Sequence, residues 1–357
     1  MTHFRIDSRA EYYGDLVRRL RVLGAGDRAV VATMALTAGE PAVRQVFEAL
    51  GVAARHGADV RLVVDAFAFM FNSQTSRLGP LVWGREPASA RSGPFGDTGA
   101  ALRELEAAGG RYVLVNRPRR VPANPYGGRS HMKYAVINDD VWVGGCNFDN
   151  SDHLDLMVGW RDQAVAKLLV ALTDRLFATG SARLAVGDDD VVRAVAPGAW
   201  LLLDAGVAGR SVIYDRALAL IDAAQEWIVM TCQYFPNGET ARRLLAAHRR
   251  GVMVKILFND PGKHAWPHNL AHRGVMTAGR LRLPPSFFEH VVGREQAFLH
   301  AKLLASERAA MIGSHNYVPA GVRLGTAEMA LEVAGPEFAD RAVAKIWDLV
   351  DSGILPI

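Results

Sequence analysis

The sequence predicts an α/β protein made of two similar halves, each a sheet flanked by helices, related by a pseudo-twofold axis. Three observations predict it. A β-α-β pattern over residues 28–65 recurs over residues 226–259. One polar motif occurs twice. Each copy of that motif is followed by an acidic residue, a strand and a helix.

The first motif copy is His131-Met132-Lys133, with Asn138, Gly144 and Asn147 downstream. The second is His300-Ala301-Lys302, with Glu307, Gly313 and Asn316 at the same spacings. Random placement of 11 histidines and 6 lysines in 357 residues would give roughly 0.2 His-x-Lys triplets. A matched pair at equal internal spacing is therefore a strong signal. On a strand, His-x-Lys puts both side chains on one face, because the strand period is two. The turns Gly144-Gly145-Cys146-Asn147 and Gly313-Ser314-His315-Asn316 let backbone approach a ligand closely and present an amide side chain. Each copy offers an imidazole, an ammonium and a carboxamide, groups that bind a phosphate and attack it. Two imidazoles can divide the work into nucleophile and general acid.

In chain order, residues 11–24 place Tyr13, Leu16, Leu20 and Leu23 on one helical face. Residues 28–34 read as a strand, 40–55 as a helix ending before Gly57, and 59–65 as a buried strand. That β-α-β unit implies parallel strands under a helix. Residues 226–232, 238–250 and 251–259 repeat it, with residues 57–65 matching 251–259 at an offset of 194. The motifs lie 169 apart, so the first half holds 25 more residues before its motif. Internal duplication is the simplest account. Asp155 and Glu328 lead into strands 155–158 and 328–331, followed by helices over 162–178 and 336–351. The divisions are a first half over 1–180, a linker over 181–198 and a second half over 199–357. The linker carries Gly187 and the acidic run Asp188, Asp189 and Asp190, read as a solvated turn and not as a metal site. The surplus segment contains apolar residues 66–71 and 81–83. It is expected to be core packing or a covering loop, or else an apolar lip meeting acyl chains or a membrane surface. Residues 284–288 would form the opposite lip. His264, His268 and His272 have metal-like spacing. Pro267 argues against a regular helix there, so a solvated or substrate-entrance loop is expected.

Half the residues are hydrophobic and 22% charged, an ordinary globular profile. A net charge of +4 and pI near 9.2 suit anionic partners, phospholipid head groups or nucleic acid alike. Arg117, Arg119 and Arg120 form the basic cluster that stands out. Two distant cysteines, Cys146 and Cys232, make no disulfide framework or metal spacing, and Cys146 is expected to be a buried small residue. With no apolar leader and no run of membrane-spanning length, a cytoplasmic protein is expected, soluble or peripheral at the inner membrane face.

These paired motifs resemble the phospholipase D superfamily, over essentially the whole chain. The Gly144-Gly145-x-Asn147 form and the approach to the first motif look most like the bacterial cardiolipin synthase and transphosphatidylase branch. The resemblance implies two phospholipase D-like halves, each a mixed sheet flanked by helices, with the active site between them. It also implies a covalent phosphohistidine mechanism needing no metal or cofactor. His131 would attack phosphorus, and His300 would protonate the leaving alcohol, then deprotonate the incoming alcohol or water. Lys133 and Lys302 would hold the non-bridging oxygens, with Asn147 and Asn316 adding hydrogen bonds and Ser314 a lesser phosphate contact. Asp155 and Glu328 would orient the imidazoles. The family's motif aspartate is replaced by Asn138 and Glu307. That aspartate generally bonds within the turn, so activity is expected to survive, and Asp139 stands beside Asn138 as a substitute.

The expected function is a phospholipid-hydrolysing or phosphatidyl-transferring enzyme, with a phospholipid and an alcohol or water as its partners. Both motifs lie in one chain, so a monomer should suffice. The alternative is a nuclease of the same chemistry, suggested by basic pI and 35 arginines. A binding protein with a degenerate site comes last, suggested only by Asn138 and Glu307.

Overall fold

The computed structural model describes residues 2–67, 94–117, 128–149, 153–260, 267–293 and 297–353. In the first half, β1 (Arg5–Ser8) and α1 (Arg9–Leu20) precede β2 (Arg28–Thr33), α2 (Pro41–Arg55) and β3 (Asp59–Asp65). Next come α3 (Pro94–Ala107), β4 (Arg111–Val115), β5 (Tyr134–Ile137), β6 (Asp140–Gly144), β7 (His153–Leu154) and β8 (Leu156–Arg161). Helices α4 (Gln163–Thr179) and α5 (Ala182–Val186) lead to β9 (Val191–Ala196) and β10 (Ala199–Leu203). The second half continues with α6 (Val212–Ala223), β11 (Trp227–Cys232), α7 (Gly238–Arg249), β12 (Met253–Asn259) and α8 (Pro267–Arg280). A 3-10 turn (Pro285–Phe288), β13 (His290–Val292), β14 (Phe298–Leu299), β15 (Leu303–Ser306) and β16 (Ala309–Gly313) follow. The chain ends with α9 (Pro319–Leu324), β17 (Met329–Ala334) and α10 (Pro336–Gly353).

Local chemistry explains the element ends. Ser8 and Glu11 form a reciprocal capping box at α1. Pro41 occupies the start of α2, where its missing N–H costs nothing. Asp162 caps α4 by accepting from Ala164 N and Val165 N, and Gly180 ends that helix at φ 61°.

The sheets have orders β1-β8-β6-β5-β2-β3-β4 and β13-β12-β11-β15-β16-β17-β10-β9. β2, β3 and β4 run parallel, as do β11, β12 and β13, and the other pairings in each sheet are antiparallel. Each half is thus the expected mixed sheet, and the strands correspond one for one except that the second sheet gains β9. That strand lies inside the expected linker, so residues 191–196 belong to the second sheet. Asp190 is no solvated turn residue either: its carboxylate accepts from Ala205 N and Val212 N.

Period-two alternation sorts the apolar side chains into layers. Val30, Ala32, Val229, Leu303 and Leu331 face one shared core with α4 and α10. Ala29, Val31 and Leu62 face a layer of α1, α2 and α3. Ile228, Met230 and Leu304 face α6, α7 and α8. Strands buried on both faces read as continuous apolar runs, which is why they were legible. Helix α10 ties the halves together: Arg341 donates to Phe4 O at 3.2 Å, and Phe338 packs edge-on against Phe4 at 6.1 Å. Among the described residues no helix is long and apolar enough to cross a membrane.

Two loop expectations fail. Residues 285–288 form no lip: Phe287 is buried, and Phe288 stacks on Phe235 with centroids 4.5 Å apart, inside the second half's own core. Positions 268 and 272 lie on a regular helix, because Pro267 is its first residue and not an interruption. His272 Nε2 accepts from Phe235 N at 2.8 Å, so that ring serves the fold. His264, Arg119, Arg120 and most of the apolar segment 66–83 lie outside the described residues.

Candidate active site

The motif residues lie on the run into β5 and β15, one turn of pleat before the ladder starts, and not within the strands. Alternation holds there nonetheless. Met132 and Ala301 point into the shared core, while His131, Lys133, His300 and Lys302 take the other side. The motif glycines Gly144 and Gly313 end β6 and β16, where a Cβ would collide with Leu156 O or Met329 O. They are required by the close approach of the neighbouring strand, not by a ligand.

The halves meet where the site forms. β7 pairs in parallel with β14, so Leu154, just before Asp155, lies beside Leu299, just before His300. Ser130 pairs in parallel with Ala327, so the residue before His131 lies beside the residue before Glu328. His131 N donates to Ala327 O at 2.8 Å, and His300 N donates to Leu154 O at 2.9 Å. This reciprocal exchange is what a twofold relation requires. Its consequence is that each histidine is held by the acid of the opposite half. His131 Nδ1 lies 2.9 Å from Glu328 Oε2, and His300 Nδ1 lies 2.6 Å from Asp155 Oδ2. Each carboxylate fixes the ring with Nδ1–H inward, leaving Nε2 for chemistry.

Lys133 and Lys302 are fully buried, each donating Nζ–H to the carbonyl of the histidine two residues earlier. Burial pushes Lys133 down to about 8 and Lys302 to about 7. Burial likewise pushes His131 to about 4 and His300 to about 3, against the pull of their carboxylates. Burial opposes ionisation of the acids too, but the imidazoles and lysines outweigh it. Glu328 is held at about 2, and Asp155 well below the usual carboxylate range. The resting site therefore pairs neutral rings with ionised acids.

Asn147 Oδ1 accepts from Ala35 N at 3.2 Å. Asn316 lines the cleft, and its Oδ1 is buried without a partner. Ser314 departs from expectation. It is fully buried, donates to Glu328 and accepts from Met329 N at 3.0 Å, so it acts on the acid and not on a phosphate. Cys146 and Cys232 are buried free thiols, with burial pushing both up.

Asn138 and Glu307 reach outside their turns, although Glu307 also meets its own backbone N–H and lies 3.4 Å from Arg308 Nε. Asn138 Oδ1 accepts from Arg28 N at 3.0 Å, at the start of β2. Glu307 accepts from Gln225 N at 2.9 Å, at the approach to β11. Both pin the neighbouring antiparallel strand. Asn138 Nδ2 also donates to Asp27 Oδ1 at 2.9 Å, a contact an aspartate would turn into repulsion. Asp139 does not substitute; it lies 3.6 Å from Arg161.

A second matched pair escaped the sequence reading. Asp65 and Asn259 end the parallel strands β3 and β12 and are fully buried. Asp65 Oδ2 accepts from Ser130 N at 2.6 Å, and Asn259 Oδ1 accepts from Leu299 N at 2.8 Å. Each clamps the residue before a histidine. Their signal was present, since they stand at the 194-residue repeat offset. Asp65 also holds Arg129 at 3.3 Å, and His153 stacks on His300 with centroids 5.3 Å apart.

A cleft of about 210 Å³ opens at His131. Met34, Phe67, Val318 and Leu324 give it an apolar wall, facing Arg129, His315, Asn316 and Glu328. A larger hollow of about 450 Å³ between α2 and α3 touches neither histidine.

Residues 217–350 match the family model described as "Cardiolipin synthase, PLD-like domain". The chain is similar to the crystal structure of phosphatidylserine synthase from Haemophilus influenzae Rd KW20, with TM-score 0.68 and 13% identity, covering 97% of this chain and 86% of that one. It is also similar to polyphosphate kinase from Porphyromonas gingivalis, with TM-score 0.58 and 14% identity, covering 96% of this chain and 46% of that one. At such identities these likenesses establish the fold. No curated protein matches the chain.

Proposed function

We propose that this chain, whose residues 217–350 match a cardiolipin synthase PLD-like domain model, is a phospholipase D-type enzyme that transfers or hydrolyses the phosphatidyl group of a phospholipid. The observation that carries the reading is the crossed pair of imidazoles, each with Nδ1 on a buried carboxylate of the other half and a buried lysine two residues on. The apolar wall beside His131 supports a lipid over a nucleic acid.

His131 Nε2 attacks phosphorus, forming a P–N bond as the P–O bond to the head-group alcohol breaks. His300 Nε2–H gives its proton to that oxygen. The phosphodiester anion between Lys133 and Lys302 favours the charged forms of both lysines and loads His300 with the proton it donates. His300 then takes a proton from an incoming alcohol or water, whose oxygen attacks phosphorus and releases His131. Lysine ammonium groups and the Asn147 NH2 stabilise charge on the non-bridging oxygens, the kind of preorganised electrostatic contribution that is usually largest.

Mass spectrometry of products tests this. The purified protein is given phosphatidylglycerol with and without a primary alcohol, and separately single-stranded DNA. Phosphatidyl-alcohol or cardiolipin that disappears in His131→Ala and His300→Ala supports transfer, and phosphatidic acid alone supports hydrolysis. Cleaved DNA with intact lipid overturns the lipid reading in favour of a nuclease.

A further inference from the structure

The two halves match in imidazole, ammonium and acid, but not behind the acids. In the first half Gly145 presses against Asp155, and Cys146 packs into the helical layer. In the second half the equivalent residues are Ser314 and His315. His315 is 2% exposed, lines the cleft, and has an Nε2 that is buried with no hydrogen-bond partner. Its Nδ1 accepts from Tyr317 N at 2.9 Å, which places the ring proton on Nε2. Burial keeps the ring neutral by pushing its pKa down. The result is an orphaned N–H donor in the wall of the site, of the kind that ordinarily carries a ligand or a buried water.

Its surroundings say which. A methyl built on Gly321 would stand 3.9 Å from His315 Nε2 and 3.9 Å from Glu328 Oε1. The donor and the carboxylate oxygen therefore flank one small space, open because residue 321 has no side chain. Glu328 Oε2 already accepts from Ser314 and lies 2.9 Å from His131 Nδ1, whereas among the described residues Oε1 is met by His131 alone, at 3.0 Å.

We propose that His315 is a positioning residue for His131 that acts through Glu328: its Nε2–H donates to one water seated over Gly321, and that water donates to Glu328 Oε1. The inference rests on the reading that His131 is the reacting imidazole. The other titratable groups facing Glu328 are Lys133 and Lys302 from the runs into β5 and β15, Asp204 from the end of β10, and Tyr317 from the turn before α9. All are retained in the variants below, so they do not confound the comparison. A hydrogen bond to the ionised carboxylate spreads its charge and weakens its hold on a protonated His131. The bridge thus keeps His131 neutral and able to attack.

The test is an NMR titration of the His131 ring in the full-length protein, which needs no substrate, with pH profiles of kcat/KM on phosphatidylglycerol alongside. Gly321→Ala fills the space at ordinary contact distance and lies in a helix where alanine is favoured, so it removes the water without unfolding the protein. His315→Phe removes the donor, and His315→Gln keeps an N–H. Gly321→Ala and His315→Phe are expected to raise the pH at which His131 titrates by about half to one pH unit. The acid limb of kcat/KM moves with it, and His315→Gln stays near the wild type. An unmoved His131 titration in Gly321→Ala and His315→Phe overturns the inference, whatever happens to the rate. If the titration moves while the wild type turns over no phospholipid, the bridge stands and the proposed function fails.

Discussion

Asp155 Oδ2 lies 2.6 Å from His300 Nδ1, although 145 residues separate them and each belongs to a different half. Glu328 and His131 repeat the relation across 197 residues. Neither half therefore contains a complete histidine–acid unit, and the site exists only when the two halves dock. Asp155→Asn and Glu328→Gln keep the volume but lose the charge that fixes the ring tautomer. Each should lower kcat by about 10²- to 10⁴-fold with the fold intact, checked by steady-state kinetics beside circular dichroism.

The pKa pattern predicts how stability depends on pH. Glu328 sits below its unfolded 4.5, at about 2, so its contribution is full above pH 4.5 and is lost as pH falls toward 2. His131 and His300 sit at about 4 and 3 against 6.5, so the fold favours the neutral rings and loses stability as pH falls from 6.5. Lys133 and Lys302, at about 8 and 7 against 10.5, make stability rise as pH goes from 7 to 10.5. Asp204, which burial raises to about 7, acts against these groups as pH climbs from 3.8 to 7, so the lysines are read above that window. Urea midpoints should rise from pH 7 to pH 9, and a midpoint that falls over that range contradicts the assignment.

An anion reverses the lysine part of that balance. Inorganic phosphate or tungstate bound between Lys133 and Lys302 recharges both, so binding at pH 8 takes up protons from solution. Calorimetric binding enthalpies should then vary with the ionisation enthalpy of the buffer, and the dependence should shrink in Lys302→Met, where Lys133 alone is left to recharge.

The clamps formed by Asp65 and Asn259 act on position. Asn259→Ala leaves Leu299 N–H and C=O and Gln233 C=O without the partner they now have. Each buried group so left costs about 1–3 kcal/mol, read as a lower urea midpoint. His300 loses its fixed entry angle, and displacement of a reacting group by a fraction of an ångström should lower kcat by about tenfold to a hundredfold.

Asn138→Asp restores the aspartate usual in the phospholipase D family at this place, yet it should destabilise the chain. The new carboxylate would face Asp27 where Asn138 Nδ2 now donates at 2.9 Å. A loss on the order of 1 kcal/mol at low salt, relieved by added salt, is expected in thermal melts, with kcat unchanged.

Much of the architecture was legible because it is local or repeated. Helices over 40–55 and 238–250 and strands over 59–65 and 251–259 follow from apolar periodicity, and they emerge within two residues of expectation. The motif residues were legible because they occur twice. What sequence did not carry was pairing across the halves: the short β7 and β14 have two residues each, too few for any period. Ser314 was misread because a hydroxyl beside glycine looks like a phosphate ligand, and only the fold shows Glu328 behind it. Residues 284–288 were misread because two adjacent aromatics have no period to say that Phe235 and Phe258 enclose them.

The central claim is that His131 carries the phosphatidyl group between donor and acceptor. The most direct measurement is acid-quenched digestion of the protein reacting with phosphatidylglycerol, followed by mass spectrometry of the peptide containing His131. A phosphatidyl adduct on His131 that forms in the wild type, is absent from His131→Ala and falls when an acceptor alcohol is added is the predicted result. Lipid turnover with no adduct on His131, or with the adduct on His300, would contradict it.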